Sequence, residues 1–224
     1  MKTWRKFLLL PLAVICLAFC ACNDDEDDHY IANKTISFSE MMSMYDIGNI
    51  EKIKIICRGA GYGKVKDTST YQNQVCVYRK YVENTYYVLC IYSVRDSLYQ
   101  MNQYIIHNDN SELINQFKSL SDTINGSYGN SFQISSLTYL GGNYYQTQWE
   151  DFPSYQLFSS KFKSLNSSDI INAGLYYLIK SLQRNITLEY KNNLINFSNY
   201  GVDLIDKGEK MINIQISGPS YRNE

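Results

Sequence analysis

A basic, then apolar, then acidic N-terminus decides where the folded part of this chain can begin. Lys2, Arg5 and Lys6 precede an apolar run over residues 7–21, and Asn23 is followed by Asp24, Asp25, Glu26, Asp27 and Asp28. The run is too short to span a bilayer as a settled helix. Its order of charge, apolar stretch and small residues is that of a secretory leader. A leader adds nothing to a core, so residues 1–21 are set aside from the fold. The acidic run has nothing to bury and repels itself, which predicts a disordered, solvated tether over 22–35. The folding unit is expected over 36–224, as one domain or as two small subdomains divided near 126–130.

The leader ends Phe19-Cys20-Ala21-Cys22. This resembles the lipobox of bacterial lipoproteins, in which a cysteine after a small residue is lipidated and becomes the new N-terminus. Cys20 follows bulky Phe19 and Cys22 follows Ala21, so the resemblance points to Cys22 as the lipidated residue. The acids behind it resemble the tag of lipoproteins that certain Gram-negative bacteria move to the outer leaflet of the outer membrane. The resemblance implies a cell-surface, outer-membrane protein held by lipid on Cys22, where several acyl chains would give stable anchoring. It covers residues 1–28 only, and the body resembles no family.

Charge narrows the partners of the body. Three of the 21 basic residues lie in the leader and five of the 22 acidic ones in the tag, so the remainder is within one charge of neutral. A near-neutral body has no electrostatic footprint for nucleic acid. After Cys22 only Cys57, Cys76 and Cys90 remain, with no Cys-x-x-Cys, and the two histidines are His29 and His107. A zinc site of several His and Cys ligands is not expected, and no cofactor is implied. The loop at Gly59-Ala60-Gly61-Tyr62-Gly63 lacks the spacing of a phosphate-binding loop and reads as a turn.

The pattern of the body predicts α+β, an antiparallel sheet built from hairpins with several interspersed helices and a C-terminal β-meander. Ser37 to Glu40 reads as a capping box for a helix burying Phe38, Met41, Met42 and Tyr45. Residues 50–57 read as a strand with Ile53 and Ile55 on one face. Residues 75–82 and 86–93 read as a hairpin, and 94–105 suit either a helix or a strand. Asp109 caps a helix whose buried face is Leu113, Ile114, Phe117 and Leu120. Residues 132–140 and 144–149 flank a Gly141-Gly142-Asn143 turn. Leu157, Phe158, Phe162 and Leu165 suit a short helix. Ser167 or Ser168 is expected to cap another, with Ile171, Leu175, Leu178 and Leu182 buried. Strands over 186–190, 194–198, 202–205 and 211–216 make the meander.

In the 75–93 hairpin the loop has two residues, 83–84, which mixes the faces, or three, 82–84, which collects Val75, Val77, Leu89 and Ile91 on one face and is the register expected. That register sets Cys76 opposite Cys90, a pair a disulfide can bridge.

No residue stands out as catalytic. His107 is the one histidine available to serve Cys57 or a serine, and Glu150-Asp151 is the one acidic pair set among aromatics. Tyr144, Tyr145, Trp149 and Tyr155 are the ligand candidates, since exposed rings beside amides suit sugars, although cross-strand packing is the ordinary use of such rings. The expectation is a non-enzymatic binding or interaction module for a glycan, peptide or partner protein. The alternatives are an anchored hydrolase using Glu150, Asp151 or His107, and an assembly subunit that adds strands at the edge of the C-terminal meander. No pattern here sets an oligomeric state.

Overall fold

The computed structural model describes residues 34–69, 73–95, 97–142, 146–192 and 210–218, so the leader, Cys22, the acidic tag and most of the tether lie outside the described residues. Ser37 opens the first helix, α1 (Phe38–Ile47), as the capping box requires. Its Oγ accepts from the Glu40 amide at 3.3 Å, and Glu40 Oε2 accepts from the Ser37 amide at 2.9 Å. Phe38, Met41, Met42 and Tyr45 are buried, and Gly48 ends the helix at φ 62°.

Residues 50–57, expected as a strand, instead form most of a second helix, α2 (Ile50–Gly59). Asn49 caps it, its Oδ1 accepting from the Lys52 amide at 3.0 Å. Ile50, Ile53 and Cys57 recur at i, i+3 and i+7 and are buried. The deciding pair is Ile53, 0% exposed, and Ile55, 60% exposed: in a strand they would share a face, in a helix they do not. Over so short a run the two periods fit equally well, and the cap breaks the tie.

The strands are β1 (Gly63–Ser69), β2 (Asn73–Val82), β3 (Thr85–Val94), β4 (Ser97–His107), β5 (Phe132–Gly141), β6 (Gln146–Phe152), β7 (Ile170–Ile179), β8 (Arg184–Lys191) and β9 (Lys210–Ser217). They form one open antiparallel sheet in the order β1-β2-β3-β4-β9-β8-β7-β5-β6. Helices α3 (Asn110–Tyr128) and α4 (Tyr155–Lys163) complete the set. The fold is therefore α+β. Pairing of β4 with β9 joins strands from before and after residues 126–130 in the same sheet.

All four helices contribute to a single apolar core against one face of the sheet, termed the inner face here. Asp109 caps α3 as expected, accepting from the Ser111 and Glu112 amides at 2.7 and 3.1 Å. Phe117 of α3 lies 5.3 Å, ring centre to ring centre, from Phe162 of α4, which stacks on Phe158.

Three further expectations are corrected. The β2–β3 turn has two residues, Glu83 and Asn84, both at positive φ (47° and 64°), with Val82 opposite Thr85. Positive φ at both central positions is the type I′ signature, whose twist matches that of the strands. Cys76 then faces Ile91 and Cys90 faces Val77, which puts the two thiols on opposite faces of the sheet. A Cys76–Cys90 bridge does not fit this register, and Cys57, Cys76 and Cys90 are free and buried. Collecting aliphatics on one face misled because β3 is buried on both. Leu89 and Ile91 enter the main core, whereas Val88, Cys90 and Tyr92 join a second cluster with Val77, Tyr104, Ile106 and Met211.

The helix expected after Ser167 is likewise a strand, β7. Ala173, Leu175, Tyr177 and Ile179 are buried at a period of two, and Leu178 points to the other face. Residues 167–169 form only a single 3-10 turn, and Leu182 lies in another. Leucines at helical spacing were outweighed by β-prone neighbours and by partners on both sides, β5 and β8. Finally, β8 and β9 lie in the interior of the sheet. The free edges among the described strands are β1 and β6, not the C-terminal strands. Residues 194–198 and 202–205 of the expected meander lie outside the described residues.

Candidate functional site

With the helices on the inner face, side chains of alternate parity on β5 to β8 point outward. Trp149 and Asp151 of β6 share this outer face, while Glu150 between them points inward. Asp151 stands opposite Ser136, Ser136 opposite Gly174, and Gly174 opposite Glu189, a row crossing four strands. A neighbouring row is Ile134, Tyr176 and Thr187. Together they line an open recess of about 290 Å³ with Trp149. Gly174 leaves its floor bare: a Cβ there would lie 3.3 Å from Ser136 Oγ.

The walls differ in chemistry. Trp149 is 66% exposed and Ile134 47%, a rigid apolar surface held on ordered strands. Glu189 Oε2 accepts from Lys191 Nζ and from Asn213 Nδ2, each at 3.2 Å. That contact extends a polar strip, since Asn102 Nδ2 donates to Asn213 Oδ1 at 3.2 Å and Gln100 Nε2 to Asn102 Oδ1 at 2.7 Å. Tyr176 OH donates to Asn185 Oδ1 at 3.0 Å. Asp151 is exposed and makes no ion pair or hydrogen bond among the described residues. Its carboxylate is the uncommitted charge of the site.

Only part of the expected set is brought together here. Trp149 and Asp151 line the recess; Tyr144 and Tyr145 lie outside the described residues. Tyr155 is a correction: it is a core residue of α4, with its OH donating to Asp122 Oδ1 at 2.6 Å and lying 3.1 Å from Ser121 Oγ. Burial first, and the Asp122 carboxylate with it, pushes its phenol up to about 12. Glu150 accepts from Tyr139 OH and pairs with Lys161 Nζ at 3.4 Å on the inner side. The Tyr139 hydrogen bond, helped by Lys161, holds that carboxyl below its usual range.

His107 ends β4, and its Nδ1 accepts the Asp109 amide at 2.9 Å, a turn contact beside the exposed Tyr81 and Tyr86. The Cys57 thiol is pushed up to about 12 by burial, so it stays protonated at neutral pH and is not poised as a nucleophile.

Two carboxylates facing one recess raise the question of hydrolysis. Asp151 and Glu189 stand three strands apart, roughly 14 Å across the sheet at about 4.8 Å per step. Acid–nucleophile and acid–base pairs in glycoside hydrolysis sit about 5–10 Å apart. The spacing suits two ends of a binding surface better than one reacting centre. Among the described residues no group of three His, Cys, Asp or Glu side chains could hold a metal ion, and no helix is long and apolar enough to cross a membrane.

Sequence reasoning missed Ile134, Ser136, Gly174, Tyr176, Thr187 and Glu189. The signal was the period-two alternation of β7, which the spacing of its leucines hid. Comparison with protein-family models, with curated proteins and with solved structures finds no match to this chain.

Proposed function

We propose that the protein is a lipid-anchored, surface-exposed lipoprotein acting as a binding module, with the outer face of the sheet around Trp149 as its contact surface. The observation that supports this is an indole 66% exposed on an ordered strand, beside an uncommitted carboxylate. Aromatic side chains bury roughly 150–250 Å² when covered, and this ring is left in water on the recess that Ile134 and Tyr176 also line. Isolated exposed rings are common, but a contiguous patch around a recess is a feature of binding surfaces. The finer plan of the sheet, hairpins ending in a meander, belongs to the same reading. It leaves β5 to β8 with one face free of helices.

The lipobox resemblance supplies the anchor and the acidic run the address. Cys22→Ala should release the chain into the soluble periplasmic fraction. Replacing residues 24–28 with Ser and Ala should leave it anchored but inaccessible to external protease. Binding is tested with the full chain in detergent, screened on a glycan array and a peptide library. Hits that lose affinity in Trp149→Ala support the outer-face site; hits indifferent to that change would overturn it.

A further inference from the structure

The two edges that the described strands leave free are built differently. β1 carries Lys64 and Lys66, with a break in register between them. Lysines and bulges are the devices that keep an edge strand from pairing with another chain. β6 reads Gln-Thr-Gln-Trp-Glu-Asp-Phe, with no lysine, proline or glycine, and pairs with β5 in unbroken register from Phe152 to Gln146. Its side chains are largely exposed. Seven residues give an open backbone edge of roughly 23 Å.

We propose that β6 is a docking edge for a basic, extended peptide segment of a partner protein, which adds a tenth strand to the sheet. The proposal rests on the outer-face reading and names its ligand class. Main-chain hydrogen bonds to the edge would supply affinity, and alternate side chains specificity. Outward side chains of the added strand stand about 5 Å from Trp149 and Asp151. A Lys or Arg there meets the π face of the indole and the one carboxylate of the recess that has no partner among the described residues. Inward positions meet Gln148 and Glu150, and Glu150 is already engaged by Lys161 and Tyr139. Positive charge is therefore wanted on the outward parity and uncharged polar residues on the inward one. A second copy of β6 meets neither demand, because it brings Glu150 and Asp151 of both chains to one seam.

The probe is an end-capped ten-residue peptide alternating Lys and Thr, titrated against the full chain in detergent and read by anisotropy of a label on the peptide. Three comparisons accompany it: the Glu–Thr peptide, the fully N-methylated Lys–Thr peptide, and free lysine. Saturable binding of Lys–Thr alone, weakened about tenfold in Trp149→Ala and severalfold in Asp151→Asn or at raised salt, supports the proposal. Both variants should keep the thermal midpoint of the parent, since neither side chain is buried.

Equal binding of the N-methylated peptide means that charge docks without strand pairing. The edge proposal then falls and the outer-face reading stands. No binding of Lys–Thr, with array hits still sensitive to Trp149→Ala, has the same meaning. Failure of every ligand class to respond to Trp149→Ala removes both. Concentration-dependent dimers abolished by Asp151→Lys would show that the edge serves a second copy, which overturns the basic partner.

Discussion

Over β2, β3 and β4 the outer face of the sheet carries Val77, Val88, Cys90, Tyr104 and Ile106, all nearly inaccessible. Over β5, β7 and β8 the same face carries Ile134, Thr138, Tyr176 and Thr187, open or half-open to water. The first region is largely buried on both sides and gains stability from two clusters. The second is apolar on the inner side only. What separates them shows in single strands: β3 is buried continuously from Val88 to Ser93, whereas β7 alternates from Ala173 to Ile179. A strand that serves two cores has no surface left for a ligand, and a strand that serves one does.

The sharpest test uses one residue type on both sides of this divide. Ile106→Ala, at 2% exposure, should cost about 2–5 kcal/mol by chemical denaturation, and Ile134→Ala, at 47%, less than about 0.5 kcal/mol. Equal costs would erase the distinction between the two regions. Within β7, Leu175→Ala should likewise cost about 2–5 kcal/mol and Leu178→Ala about 1 kcal/mol or less, because they face opposite ways. Helical burial of both would reverse that expectation.

A smaller effect checks the register that makes β3 two-faced. Asn84→Ala should lose about 1 kcal/mol at its positive φ, and Asn84→Gly should lose little or gain. Peptide mapping without reductant should return no Cys76–Cys90 link, and the three thiols should react with alkylating reagent only on unfolding.

The smallest effect belongs to Glu150, whose lowered pKa contributes stability above the ordinary value of 4.5. That contribution is lost as pH falls through the folded pKa. Solvent screening keeps it below about 0.5 kcal/mol. Glu150→Gln should therefore flatten the acid limb of the stability profile slightly and leave neutral pH almost unchanged.

The same divide explains what could be read from residues alone. Caps were legible at Ser37 and Asp109, because a side-chain acceptor at a helix start is a local requirement. Alternation was legible where polar residues mark the second face, as in β9, with Ile212, Ile214 and Ile216 inward and Asn213 and Gln215 outward. Where both faces are dry, hydrophobicity no longer tells one register from the next, and the β2–β3 turn was misread for that reason. α2 and β7 were exchanged in kind because each is short enough to satisfy two periods, and the deciding term was a cap in one and flanking strands in the other. Of the site, Trp149 and Asp151 were visible as aromatic and acid in one stretch. Gly174 and Glu189 were not, since only the strand order brings them near.

The position of β9 has a consequence for how the molecule is made. It is the last described strand, yet it lies between β4 and β8, and Met101 meets Ile216 across more than a hundred residues. A chain made from its N-terminus therefore presents β1 to β4 and their helices first, with one edge of β4 unfilled until residue 210 has emerged. Closure of so distant a pair is slow, and an unfilled edge is adhesive while it waits. A chain stopped short of β9 leaves two half-sheets with no strand between them, held only through α3 and the core it packs against.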